Sequence, residues 1–110
     1  MVKAEEIIAI NKHFAEGKVR NQSSLDYALA QSEATEDWHK QLALLLRAII
    51  ADQIFENGNK RTGAYLMVRF ASEKKIIFDA QKVYNLVISI AEKKIGDIEK
   101  LRRMVKNALV

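Results

Sequence analysis

The stretch QLALLLRAIIADQIFENGNKRTGAYLMVRF, Gln41 to Phe70, sets two apolar segments on either side of a short polar turn, and its reading decides the fold. The first segment is apolar on nearly every side, and the second carries Tyr65, Leu66, Val68 and Phe70 at helical spacing. A helix that is apolar all round belongs at the centre of a bundle. The expectation is therefore a central buried helix over residues 36–56, with Trp38, Leu42, Leu44, Leu45, Leu46, Ile49, Ile50, Ile54 and Phe55 inside. A fourth helix should follow from about Lys60 to Glu73, ending at Lys74-Lys75.

Outward from this pair the helical period continues. A first helix is expected from about Lys3 to Ala15, with Ile7, Ile8, Ile10 and Phe14 on its apolar stripe and Glu16-Gly17 at its end. Lys18 to Gln22 reads as an extended link, and a second helix runs from a Ser23-Ser24 cap to about Ser32 with Leu25, Ala28 and Leu29 inward. Beyond the fourth helix, Ile76 to Phe78 is a short extended piece. A fifth helix begins after Asp79 with Val83, Leu86, Val87 and Ile90, and a sixth after Gly96-Asp97 with Ile98, Leu101, Val105 and Leu109. There is no proline, the four glycines fall largely between periodic segments, and no repeat or low-complexity tract interrupts the pattern. The fold class is all-α: one domain over residues 1–110, a compact bundle of about six helices with short connections. Trp38 and the other aromatic residues fall on apolar stripes and read as core.

Composition narrows the chemistry. Without cysteine there are no disulfides, thiolate nucleophiles or thiolate metal sites. The longest apolar run, Leu42 to Ile50, is broken by Arg47, and Met1 to Ala9 carries Glu5 and Glu6, unlike a signal peptide. A soluble, cytoplasmic protein with no membrane partner is expected. Net charge is +4, from 18 Lys and Arg against 14 Asp and Glu, which favours anionic partners. The basic residues form no clustered stripe, so nucleic acid is not an expected partner.

The sign of charge at one helix start is anomalous. The unpaired N–H groups of a helix N-terminus carry about half a positive charge, so acids stabilise a first turn by roughly 0.3–1 kcal/mol and bases do the reverse. Glu5 and Glu6, Asp26, Glu36 and Asp37, Asp79, and Asp97 with Glu99 fit this rule at the other helices. The fourth helix opens instead with Asn59-Lys60-Arg61, which concentrates N–H groups and two cations where an anion would be welcome. Gly58 is placed to end the third helix in a left-handed conformation, leaving bare backbone, and Asn57 and Asn59 add short polar side chains. The plain alternative is a helix-helix turn whose Lys60 and Arg61 point into solvent at a cost of about 1 kcal/mol or less each. Gly58 and Gly63 fit the opening of a P-loop, but Ala64-Tyr65 stand where Lys and Ser/Thr are needed and a helix precedes the loop, so a Walker site is set aside.

With its flanks, AIIADQIFENGNKRTGAYLMVRF resembles the signature of the Fic/Doc family, H-x-F-x-[D/E/N]-[G/A]-N-[K/G]-R, at Gln53, Phe55, Asn57, Gly58, Asn59, Lys60 and Arg61. VRNQSSLDYAL is similar to the family's R-D-x-x-x-L-x-x-A-L stretch, and Lys74 to Leu109 resembles its tail of a short extended piece and two closing helices, so the resemblance covers nearly the whole chain. Lys60 and Ala64 bring it closer to the short Doc (death-on-curing) branch. The resemblance implies an all-helical fold and chemistry on ATP or another NTP with Mg²⁺. Fic enzymes transfer AMP to a protein hydroxyl, and Doc toxins bind the nucleotide in the reverse sense and phosphorylate a threonine of elongation factor Tu. It also implies roles for individual residues. The backbone amides around Gly58, Asn59, Lys60 and Arg61 would cradle phosphates, with Arg61 as clamp and Lys60 neutralising developing charge. Phe55 would anchor the loop in the core. Val19, Arg20 and Asn21, in the link Lys18 to Gln22, would be a flap pairing with a protein target that offers a hydroxyl side chain. A small antitoxin is the further partner the resemblance implies.

Two positions depart from the signature. Gln53 stands where the family's catalytic histidine acts as general base, and a primary amide can orient a hydroxyl without taking its proton, forfeiting about 10²- to 10⁴-fold. Asn57 stands where many members hold Mg²⁺ with Asp or Glu, and its neutral amide oxygen is the weaker ligand. Asp52 and Glu56 flank the site, and either could substitute as base or metal ligand; ordinary solvated carboxylates would look the same. His39 is expected about 20 Å from Gln53 at ~1.5 Å per residue, and His13 lies in the first helix, so neither is placed to replace the base. Three readings stay open: a phosphate-binding Doc-like domain with little transfer activity; an active kinase or nucleotidyltransferase toxin, through a substitute base or with Gln53 an inactivating substitution; and a protein-interaction module without nucleotide.

Overall fold

Ile7, Leu25, Leu42, Leu45, Ile49, Phe55, Leu66, Met67, Ile90 and Leu101 come from every part of the chain and are shut off from solvent together. Fully burying side chains of this size is worth about 1.5–3 kcal/mol each. The computed structural model describes residues 2–110 and contains six α-helices: α1 (Ala4–Asn11), α2 (Gln22–Glu33), α3 (Trp38–Leu46), α4 (Asn59–Glu73), α5 (Ala80–Lys93) and α6 (Ile98–Ala108). α3 runs directly into a π-helical turn, Arg47–Ala51. The architecture is the expected all-α bundle. α3 lies at its centre against α2 and α6, the π turn packs on α4 and α5, and α1 closes over α4. Among the described residues no helix is long and apolar enough to cross a membrane.

Several starts follow from local chemistry. The carboxylates of Asp79 and Asp97 accept from N–H groups of the first turns of α5 and α6, as their positions suggest. Asp37 caps α3 through the N–H groups of His39 (3.0 Å) and Lys40 (3.3 Å) and faces Arg102 of α6 at 3.5 Å. Burial alone would raise its pKa, but the two N–H bonds and Arg102, with a contribution from His39, outweigh it and hold the carboxyl below its ordinary value. The cap therefore contributes stability at neutral pH that is lost as pH falls through the lowered pKa.

Other bounds differ from expectation, each for a tertiary reason. α1 ends at Asn11, not Ala15, because the Asn11 side chain turns inward and the chain folds back through Lys12–Phe14. Phe14 is carried outside with it, at 37% exposure. The exposure of Tyr27, Tyr65 and Tyr84 likewise corrects the reading of the aromatics as core, while Phe55 and Phe70 are buried and Trp38 is partly so. α2 is capped by Asn21, whose side chain accepts from the Ser24 N–H, instead of by the Ser23-Ser24 pair, and Asp26 falls in its second turn. The largest correction is to the central helix over residues 36–56. It begins at Trp38, loses α-helical form after Leu46 and ends at Ala51, because residues 54–56 are drawn into pairing with Lys18–Asn21.

Gly63 lets α4 lie close against Ile50 of the π turn. A Cβ there would lie 2.5 Å from Ile50 Cδ1 and 2.8 Å from its Cγ1. Gly63→Ala is expected to force the helices apart and cost about 1–3 kcal/mol in urea unfolding, although alanine is the better helix former.

Candidate anion-binding site

The polar turn between the central helix and α4 is held by side chains that each take a backbone partner. The Asn59 amide both accepts from the Phe55 N–H (3.0 Å) and donates to the Phe55 carbonyl (2.9 Å), closing the loop as a neighbouring strand would. Phe55 itself is fully buried, the anchor expected of it. Asn11 Nδ2 donates to the Asn57 carbonyl (2.9 Å) and to Thr62 Oγ1 (3.0 Å), while its Oδ1 accepts from the Gly17 N–H (2.8 Å). Thr62 Oγ1 donates in turn to the Gly58 carbonyl at 2.7 Å. Asn11 and Thr62 are both fully buried, and no buried side-chain polar atom among the described residues lacks a partner.

Gly58 is not the end of the third helix but the N-cap of α4, in left-handed conformation at φ 77°. A side chain there would be strained by that φ and would press on Ala15 Cβ and Asn11 Nδ2, each 3.2 Å away. The consequence is a polarised loop. The carbonyls of Phe55, Asn57 and Gly58 accept from side chains, whereas the N–H groups of Asn57, Gly58, Asn59, Lys60 and Arg61 donate to no protein group among the described residues. Lys60 and Arg61 are exposed and make no ion pair among the described residues. Five free amides and two cationic residues thus follow one another at a single helix N-terminus. The Asn59 side chain is spent on the loop, so its share in anion contact falls to its backbone.

Two hollows open on this start. One of about 390 Å³ is lined by Ile50, Gln53, Glu56, Asn57, Gly58, Asn59, Lys60, Ala91 and Glu92. The other, about 270 Å³, is lined by Phe14, Gly58, Asn59, Lys60 and Arg61. Gln53, Asn57, Gly58, Asn59 and Lys60 thus share the first hollow, whereas Arg61 lines the second and not the first. Glu92 joins them from the last turn of α5 and Phe14 from the turn after α1, which no local signal announces. Asn11 could have been noticed, because a polar residue occupies the apolar stripe of the first helix. His13 sits in the same turn as Phe14 and stacks on Tyr65 at 5.9 Å, but it does not line the hollow that holds Gln53.

Gln53 lies beyond the helix, in left-handed conformation at φ 51°, an uncommon state for a residue other than glycine. The Ile54 N–H reaches back to the Ala48 carbonyl at 3.3 Å and closes the helix end around it. Arg20 Nη2 donates to Gln53 Oε1 at 3.0 Å. A guanidinium can only donate, so the amide oxygen is engaged, and the amide NH₂ has no protein partner among the described residues. Asp52 accepts from the Ser24 hydroxyl and lies outside the hollow.

Val19, Arg20 and Asn21 run beside the loop. Glu56 N–H donates to the Lys18 carbonyl (3.0 Å), and the Arg20 and Asn21 N–H groups donate to the Ile54 carbonyl (2.6 and 3.1 Å), flanking an antiparallel bridge between Val19 and Phe55. In that pairing the N–H and C=O of Val19 point away from Phe55, and neither has a backbone partner among the described residues. One edge of the segment is used by the chain itself and the other is open, while Asn21 also serves as the cap of α2.

For a cation the residues offer little. No group of three or more His, Asp or Glu able to hold a metal occurs among the described residues, and Glu56 Oε2 lies 3.9 Å from Lys18 Nζ. Asn57 and Glu56 could add one neutral and one charged oxygen to an ion carried mainly by other ligands.

Removing the buried amide should loosen the whole turn. Asn11→Leu strands the Gly17 N–H and the Asn57 carbonyl and is expected to cost about 2–4 kcal/mol in urea unfolding, against about 1 kcal/mol for Thr62→Val. Searches against protein-family models, characterised proteins and solved structures find no match to this chain.

Proposed function

We propose that this chain is a Doc-like protein that binds the phosphates of ATP or another NTP at the start of α4, with transfer to a protein hydroxyl impaired at Gln53. The observation that carries the reading is the row of five unpartnered amides from Asn57 to Arg61 beside the unpaired charges of Lys60 and Arg61. A polyphosphate supplies the acceptors and the negative charge that this row lacks, and charge-assisted N–H bonds of this kind are about twice as strong as neutral ones. Arg61 can fork onto two phosphate oxygens, and Lys60, which lines both hollows, acts as a point charge between them. Mg²⁺, when bound, would neutralise phosphate charge, with Asn57 and Glu56 as its protein contacts.

The hydroxyl to be modified would enter the hollow lined by Gln53, its chain paired to the open edge of Val19. With its oxygen held by Arg20, Gln53 offers that hydroxyl a donor and no base. This supports binding without efficient transfer, in keeping with a deficit of about 10²- to 10⁴-fold.

Titration with ATP, with and without Mg²⁺, is expected to show saturable binding that Arg61→Ala weakens at least tenfold; no binding would sink the reading. Incubation of the chain with labelled ATP and cell extract is expected to label no protein, and Gln53→His is expected to restore labelling. Labelling by the unaltered chain would instead favour an active enzyme in which Glu56 or Glu92, the carboxylates of the same hollow, takes the proton.

A further inference from the structure

A hollow of about 460 Å³ lies between α4 and α5 and begins at the same two cations. Lys60 and Arg61 stand at its head, and beyond them Val68, Phe78, Val83 and Tyr84 make its walls. Its volume falls in the range of small-ligand sites, about 300–1,000 Å³. Apart from Lys60 and Arg61, the Tyr84 hydroxyl is the only side-chain hydrogen-bonding group among all the residues that line it. Tyr84 is 59% exposed, so much of this side chain is available to a ligand in the groove.

We infer that the ligand is a nucleoside triphosphate whose base lies in this groove, gripped by stacking and apolar contact and not read at its edge, so that ATP and GTP are accepted almost alike. The inference rests on the phosphate reading of the α4 start and deepens it. Charge complementarity fixes the orientation, because amides and cations at one end demand the phosphates and leave the apolar trough for the rest of the molecule. The chemistry of the walls then sets the selectivity. A site that hydrogen-bonds a substrate group rejects analogues by about 10⁴–10⁵, whereas an apolar pocket discriminates by only about 10–200-fold. Stacking is indifferent to which base supplies the ring.

Calorimetric titration of the whole protein with sodium tripolyphosphate, ATP, GTP and geranyl diphosphate tests this, using Tyr84→Ala, Ala80→Trp and Arg61→Ala variants with helicity checked by circular dichroism. ATP and GTP should agree within about tenfold, and each should bind at least tenfold tighter than tripolyphosphate. Tyr84→Ala, by removing the ring, and Ala80→Trp, by filling the groove, should each bring ATP down to the tripolyphosphate level while tripolyphosphate binding holds. If both variants leave ATP unchanged, if ATP and GTP differ by more than a hundredfold, or if geranyl diphosphate outbinds ATP, the groove assignment is overturned. Tripolyphosphate binding that Arg61→Ala abolishes would then leave the phosphate cradle standing alone. Failure of every anion to bind would overturn both.

Discussion

A single buried amide, that of Asn11, governs the shape of the loop before α4. It ties the end of α1 to the Asn57 carbonyl, the Thr62 hydroxyl and the Gly17 N–H at once, so three chain segments cannot move independently. Buried polar groups are costly when unpaired and rigidifying when fully paired. Together with Asn59 and Thr62, Asn11 turns the loop's acceptors inward, and what remains at the surface is a row of donors. The positive face of the loop is thus as much a product of where its carbonyls are hidden as of Lys60 and Arg61.

Much of the bundle was legible because it is written locally. The apolar stripes of α2, α3, α5 and α6 lead directly to buried residues, and Asp79 and Asp97 cap the helices they precede. The central helix misled because its end is set elsewhere: nothing in ADQIFE says that Ile54 to Glu56 will be claimed by Lys18 to Asn21. Phe14 keeps helical spacing in sequence but is swung out by a turn that depends on Asn11. Of the candidate site, the cradle residues could be picked out by the wrong sign of charge at a helix start. Glu92 and Tyr84 could not, since only the packing of α5 on α4 brings them there.

Gln53 joins both levels. In sequence it is a chemical substitution, an amide where a base is expected. In the fold it is also a strained hinge, since a left-handed residue without the freedom of glycine turns the chain from helix into extended pairing. Its bond to Arg20 links that turn to the segment whose outer edge is open.

The π turn at Arg47–Ala51 holds one residue more than an α-helix would use to cover the same rise. Each residue of an α-helix advances the face by about 100°. The surplus residue sets the phase of everything that follows: it decides which side chain meets Arg20 and which carbonyl receives Ile54. Trimming this stretch by one residue would leave a more regular helix and point its end in the wrong direction.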